Sequence, residues 1–161
     1  MSLIDTHAHL DQEEFAEDRQ EVIQQAHAAG ISHLIAIGIG ADSSQKCLEL
    51  ATASPRISAA VGIQPNYCNE AVEGDWDRIV ALAAERAVVA IGETGLDRHW
   101  DFTPFPLQQD YFDRHLRLAA DRDLPFVVHT RESEADVLCM LREARQQPLE
   151  LRPGRTRACR H

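Results

Sequence analysis

The sequence has no surplus of positive charge: 16 Lys and Arg stand against 26 Asp and Glu, for a formal net charge of −10. A chain of that sign has no general field to draw in a polyanion, so binding spread over many phosphates is excluded and any nucleic-acid contact must be local. There is no secretory h-region and no apolar run long enough to cross a bilayer, so no membrane role is expected and the cytoplasm is the expected location. Cys47, Cys68, Cys139 and Cys159 form no C-x-x-C pair. That removes zinc-ribbon and dithiol motifs, and in a reducing compartment the four are expected to be small buried apolar residues. No G-x-G-x-x-G opens the first helix and no G-x-x-x-x-G-K-[ST] occurs, and Gly38-Ile39-Gly40 alone does not stand in for them. Dinucleotide and P-loop nucleotide sites therefore have no support.

What the sequence does have is a repeated switch between short apolar runs and longer helical patterns, the mark of βα units feeding a parallel sheet. Its 161 residues, 44% of them hydrophobic, suffice for one domain with a buried core. Apolar runs at Leu3–Thr6, His33–Ile37, Ile57–Val61, Val88–Ile91 and Pro125–Val128 predict five strands. The segment from Asp18 to Ala29, stopped by Gly30, predicts the first helix, and Asp42 is the expected N-cap of the second, which carries Cys47, Leu48, Leu50 and Ala51. Trp76, Ile79, Val80, Leu82 and Ala83 trace a third, Leu107–Ala120 a fourth and Glu134–Arg145 a fifth. Strands this short and continuously apolar are expected to be buried on both faces, which fits either an open doubly wound sheet or a closed barrel.

The polar residues that follow these strands carry the chemistry. A side-chain period of two turns His7 and His9 to the same side at the end of the first strand. Glu93 follows VVAIG at the fourth strand and His129 follows PFVV at the fifth, so three strands deliver metal-type ligands to one rim. A carboxylate at a strand end is hard to explain as packing, because an unpaired buried charge costs several kcal/mol. Imidazoles with a carboxylate suit Zn²⁺, Mn²⁺, Co²⁺ or Ni²⁺, and a mixed site also takes Mg²⁺. The two oxygens of Glu93 can bridge a pair of ions, an arrangement that serves hydrolysis. Asp11 is a candidate for orienting one of the imidazoles. Arg98, beside Asp97, and Arg131 each allow two readings, a bidentate hold on phosphate or an ion pair with a nearby carboxylate. His99 and Trp100 either stack on a substrate base or pack on their own barrel, while His27, His33 and His115 fall within helix or strand bodies and read as structural or surface residues.

The motifs DTHAHLD, AAVGIQPN, AIGETGLD and VVHTRE, in this order, resemble those of the TatD family of metal-dependent deoxyribonucleases over residues 1–147. The resemblance implies a (β/α)8 TIM barrel of the amidohydrolase type, of which the first five βα units are present, and a site holding divalent ions, usually two. It further implies hydrolysis of DNA phosphodiesters, often from a 3′ end. Carried over, His7 and His9 would bind one ion, Glu93 would contact or bridge both and act catalytically, and His129 would bind the second. Where many relatives read G-[IV]-H-P-H this chain has Gly62-Ile63-Gln64-Pro65-Asn66, so Gln64 stands where a histidine often meets substrate phosphate; it can donate a hydrogen bond but carries no charge.

The family pattern continues into a sixth strand with a further metal-binding histidine and, later, an aspartate that serves as base. In their place stands PLELRPGRTRACRH, an arginine-rich segment over 148–161 with no periodicity, which reads as a frame change or truncation of the coding sequence and predicts a nuclease impaired in this form. Two other functions fit the same residues. One keeps the metal site and acts on a small ester, amide or phosphoester. The other is a metal-binding barrel fragment that self-associates through sheet edges.

Overall fold

In the computed structural model, which describes residues 3–146, the apolar runs pair into one parallel sheet. Its strands are β1 (Leu3–Ala8), β2 (Ile31–Ile37), β3 (Ile57–Val61), β4 (Val88–Asp97) and β5 (Phe126–Arg131), in the order β1-β2-β3-β4-β5. Between and after them run α1 (Arg19–Ala28), α2 (Ala41–Ala53), α3 (Asp75–Leu82), α4 (Phe105–Arg122) and α5 (Glu134–Gln146), with single 3-10 turns at Glu13–Phe15 and Pro65–Tyr67. The order decides between the two architectures left open above. A doubly wound sheet reverses direction and adds later strands on the far side of its first, whereas here each strand joins the one before it, as in a (β/α)8 barrel. The described residues form a partial barrel of five βα units.

The end of α1 follows local chemistry: Gly30, at φ +102°, follows its Ala29 cap, while Asp18 stands at the N-cap without a side-chain hydrogen bond to the helix. The second helix differs from expectation: it starts at Ala41 behind Gly40, and the Asp42 carboxylate reaches instead to Arg78 Nη2 at 2.7 Å. β4 also runs six residues past the predicted Ile91. Its Thr94, Gly95, Leu96 and Asp97 pair with Val128, His129, Thr130 and Arg131 of β5, and Leu96 is buried with Phe112, Leu116 and Val137 under α4 and α5.

The main core lies between the sheet and its helices, with Leu34, Val61, Ile79 and Ile91 at its centre, each side chain contributing about 1.5 to 3 kcal/mol by leaving water. A smaller cluster of Ile37, Ala60 and Ala90 lies apart from it and packs against Ile35 and Val127. Two expectations need correction. The central strands are mostly buried, but β1 and β5 bound the described sheet, and Leu3, Ile4 and Phe126 are exposed because no strand lies beyond them among the described residues. Cys47 and Cys68 are buried as expected, while Cys139 on α5 is only half-buried because that helix covers one flank of the sheet. Cys159 and the arginine-rich segment at 148–161 lie outside the described residues.

Beneath the polar rim the strands approach very closely. A Cβ on Gly92 would stand 2.6 Å from the Val127 carbonyl oxygen, and one on Gly62 would stand 2.7 Å from Gly92 Cα. Gly92 also has φ +137°, and Gly95 has φ +134° with its α-carbon set against the His129 carbonyl, so only glycine fits either place. No described helix is long and apolar enough to cross a membrane.

Candidate metal centre

His7 is the penultimate residue of β1 and His9 stands one residue past the strand, and the strand period brings both rings to one side: the Nε2 atoms are 3.3 Å apart and the rings meet edge-on. His9 Nδ1 lies 3.0 Å from the Ile37 carbonyl oxygen. A carbonyl can only accept, so Nδ1 carries the proton and the Nε2 lone pair faces the site. Asp11 does not take the orienting role considered for it. It is buried with Oδ2 accepting from the Ser43 hydroxyl at 2.6 Å and from Gln12 at 3.2 Å, and a backbone carbonyl orients His9 in its place.

Glu93 follows a cis peptide bond with Gly92 and lies where the β4–β5 register slips, between Ile91 and Thr94. Its amide donates to the Gly38 carbonyl at 2.9 Å, reaching across to the end of β2 rather than to a neighbouring strand. The carboxylate thereby stands between two sets of imidazoles. Oε2 is 3.8 Å from His7 Nε2 and 3.7 Å from His9 Nε2, while Oε1 is 3.2 Å from His129 Nδ1. One donor atom from each of His7, His9 and Glu93 falls within 4.8 Å of the other two. Two imidazole nitrogens and a carboxylate oxygen are a donor set that fits a borderline divalent cation such as Zn²⁺ or Mn²⁺.

His129 faces Glu93 with one nitrogen and Asp97 with the other, Nε2 to Oδ2 at 2.9 Å. Asp97 is 1% exposed and well supplied with donors: Oδ2 also takes Asn66 Nδ2 at 2.9 Å, and Oδ1 takes the amides of His99 at 2.9 Å and Trp100 at 3.0 Å. Burial alone would raise the Asp97 pKa, but these hydrogen bonds, led by Asn66, outweigh it and hold the carboxyl below its usual range. Burial likewise works to raise Glu93, and the hydrogen bond and charge of His129, with His7 and His9, hold it low instead. Hydrogen bonding to Glu93 raises the His129 pKa against the opposing pull of burial.

Asp97 is the partner that reading the sequence missed, having been taken with Arg98 rather than with His129. A signal was present: Glu93 and Asp97 are four apart, an even spacing that puts them on one face if the strand continues past Ile91. Gln64, at the end of β3, is buried and its Oε1 accepts the Asn66 amide at 2.8 Å, capping the Pro65–Tyr67 turn. Arg98 is turned away from the histidines. Its Nε and Nη2 donate to Asp136 at 2.8 and 2.9 Å and its plane lies 3.8 Å over Phe105, so the ion-pair alternative describes it. Arg131 ends β5 exposed, with its guanidinium carbon 5.5 Å from the Trp100 ring centre. His33 contacts the Ser58 hydroxyl and His27 the Ile31 carbonyl, while His115 is fully buried beneath Ile63.

Imidazoles and carboxylates gathered at the carboxyl ends of parallel strands are the site type of barrel metal-dependent hydrolases. The family model described as TatD related DNase matches residues 4–161, and the chain belongs to that family. It is 36% identical over 141 residues to the metal-dependent hydrolase YabD of Bacillus subtilis, covering 88% of this chain and 55% of that one. It is 32% identical to the 3′-5′ ssDNA/RNA exonuclease TatD of Salmonella typhimurium, covering 86% of this chain and 54% of the relative. Among solved structures it matches YjjV, a TatD homologue of Escherichia coli, with a TM-score of 0.82 at 30% identity, covering 88% of this chain and 56% of that one. The chain thus spans about half the length of the relatives it matches.

Proposed function

We propose that this chain contributes the first half of a metal-dependent phosphodiesterase site acting on single-stranded DNA, with release of nucleotides from a 3′ end. The observation that carries the reading is Glu93, whose two oxygens face different imidazoles, His7 and His9 on one side and His129 on the other. Family membership and a relative named for ssDNA/RNA exonuclease activity support the substrate class.

On this reading His7 and His9 hold one divalent ion, His129 helps hold a second, and Glu93 lies between. When bound, such ions polarise a phosphoryl oxygen and lower the pKa of a bound water. The chain's own residues supply the rest. The Ile37 carbonyl keeps the His9 Nε2 lone pair aimed inward, and Asp97 accepts a hydrogen bond from the Nε2–H of His129, which in the neutral ring leaves Nδ1, on the Glu93 side, as the nitrogen that would meet an ion. The histidines around Glu93 hold its carboxyl below the usual range and so favour its ionised form. Gln64, a few residues past the end of β3, would offer its amide to phosphate, and Arg131, exposed at the end of β5 two residues from His129, would offer a guanidinium; Arg98, committed to Asp136, is left out of the binding set. A cytoplasmic location belongs to the same proposal, supported by the free thiols of Cys47, Cys68 and Cys139 among the described residues.

The test is release of mononucleotides from 5′-labelled single-stranded DNA with Mn²⁺ or Mg²⁺, alongside a panel of small carboxylic esters. Shortening from the 3′ end that requires the metal and is lost in Glu93→Gln supports the proposal. Metal-dependent ester hydrolysis with DNA left intact would refute it in favour of a small substrate.

A further inference from the structure

The segment after β4 leaves two large aromatic side chains in water. Trp100 is 43% exposed and Phe102 58% exposed. They lie nearly parallel, 11° between planes with ring centres 5.3 Å apart. His99 meets Trp100 edge-on at 4.6 Å and is itself tied to Glu132 at 2.8 Å, and the Arg131 guanidinium carbon stands 5.5 Å from the Trp100 ring centre. Burying such rings would yield a few kcal/mol of hydrophobic stabilisation, yet this segment turns both outward. The backbone beneath them is held firmly: the amides of His99 and Trp100 both donate to Asp97 Oδ1, while Oδ2 of the same carboxylate receives His129. The aromatic pair is therefore anchored one carboxylate away from a histidine of the metal centre.

We propose that Trp100 and Phe102, with Arg131 alongside, form a stacking subsite for a nucleobase of the strand whose phosphodiester lies at the metal centre. This rests on the phosphodiesterase reading above. The chemistry fits a base better than any other part of a nucleotide. A flat aromatic face accepts any base without sequence preference, and a guanidinium against the ring adds cation–π attraction and a charge for the adjoining phosphate. It also meets the difficulty set by the net charge of −10, because stacking gains affinity for a single strand without the run of phosphate contacts this chain cannot make. The subsite selects single-stranded substrates, since a base inside a duplex has no free face to offer.

The experiment compares two fluorescein-labelled eight-residue strands, an oligothymidylate and an abasic phosphodeoxyribose strand of the same length, by anisotropy with Ca²⁺ present. The expected result is roughly tenfold tighter binding of the thymidylate, a ratio that falls to about one in Trp100→Ala and is kept in Trp100→Phe. Trp100 is exposed, and circular dichroism checks that both variants fold. Equal affinity of the parent chain for the two strands overturns the proposal, as does a Trp100→Ala chain that keeps the tenfold ratio. Failure of the phosphodiesterase reading shows separately, as absence of Mn²⁺-dependent cleavage of either strand.

Discussion

Acid should destabilise this fold through one residue remote from the metal ligands. His115 on α4 is fully buried; its Nδ1–H donates to the Tyr111 carbonyl at 2.6 Å, its Nε2 accepts the Ile63 amide at 3.0 Å, and Trp76 lies edge-on at 4.9 Å. Protonation would set a second N–H against the Ile63 amide in a fully buried site, and burial accordingly pushes the imidazole from 6.5 down to about 4. The unfolded chain therefore binds the proton more readily than the folded one between those values. Its contribution to stability is complete above the unfolded pKa and is lost as pH falls towards the folded one. Between pH 7 and pH 4.5 that loss amounts to about 2 kcal/mol, a large part of the stability of a small domain. Glu93 and Asp97, held low in the fold, add losses of the same sign on acidification, and His129, held high, opposes them. A variant is needed to separate His115 from the rest. His115→Gln keeps an acceptor for the Ile63 amide but cannot be protonated. Urea unfolding at the two pH values should show the parent losing about 2 kcal/mol more than the variant does. Equal losses in both chains would refute the claim that a neutral imidazole is locked beneath Ile63.

Two further outcomes follow from the geometry. Asp97→Asn should lower Mn²⁺ affinity on the His129 side about 10 to 100-fold while leaving the His7 and His9 side much less affected, because the amide no longer fixes the His129 tautomer; calorimetric titration checks this, and an unchanged isotherm would count against the pairing. Gly92→Ala should destabilise the chain by about 1 to 3 kcal/mol or more, since the added carbon meets the Val127 oxygen and φ is +137°; a thermal midpoint within a degree of the parent would contradict that close approach.

Periodicity was enough to find the five strands and five α-helices of the described residues, because a short apolar run followed by a helical pattern marks each βα unit even where, as in β1 and β5, the strand is not buried. It failed where the backbone rather than the side chains carried the structure. β4 was cut short at Ile91 because Gly92-Glu93-Thr94-Gly95 has neither alternation nor apolar continuity, although it pairs with β5 as far as Asp97. That error hid Asp97 from His129, which lies 32 positions away in the chain. The orientation of His9 was unreadable for a different reason: its partner is the carbonyl of Ile37, and a carbonyl belongs to every residue alike. For Arg98 two outcomes were open, and only the fold brings Asp136 round from α5 to meet it.

The small residues under the metal centre bear on how such a protein can change over generations. Ala36, Ala59 and Ala60 are completely enclosed, and Gly62 and Gly92 nearly touch. From alanine or glycine almost every codon change adds atoms, and here there is no space for them, so random variation is filtered in one direction only. The floor of the site is then the slowest part of the gene to drift. The exposed segment around Trp100 and Phe102 is under less restriction, since much of each ring faces solvent and its neighbours His99 and Arg131 are themselves at the surface. Lineages sharing this floor can exchange the side chains at the rim at small cost in stability, so changes of substrate preference should accumulate there first while the strands below stay as they are.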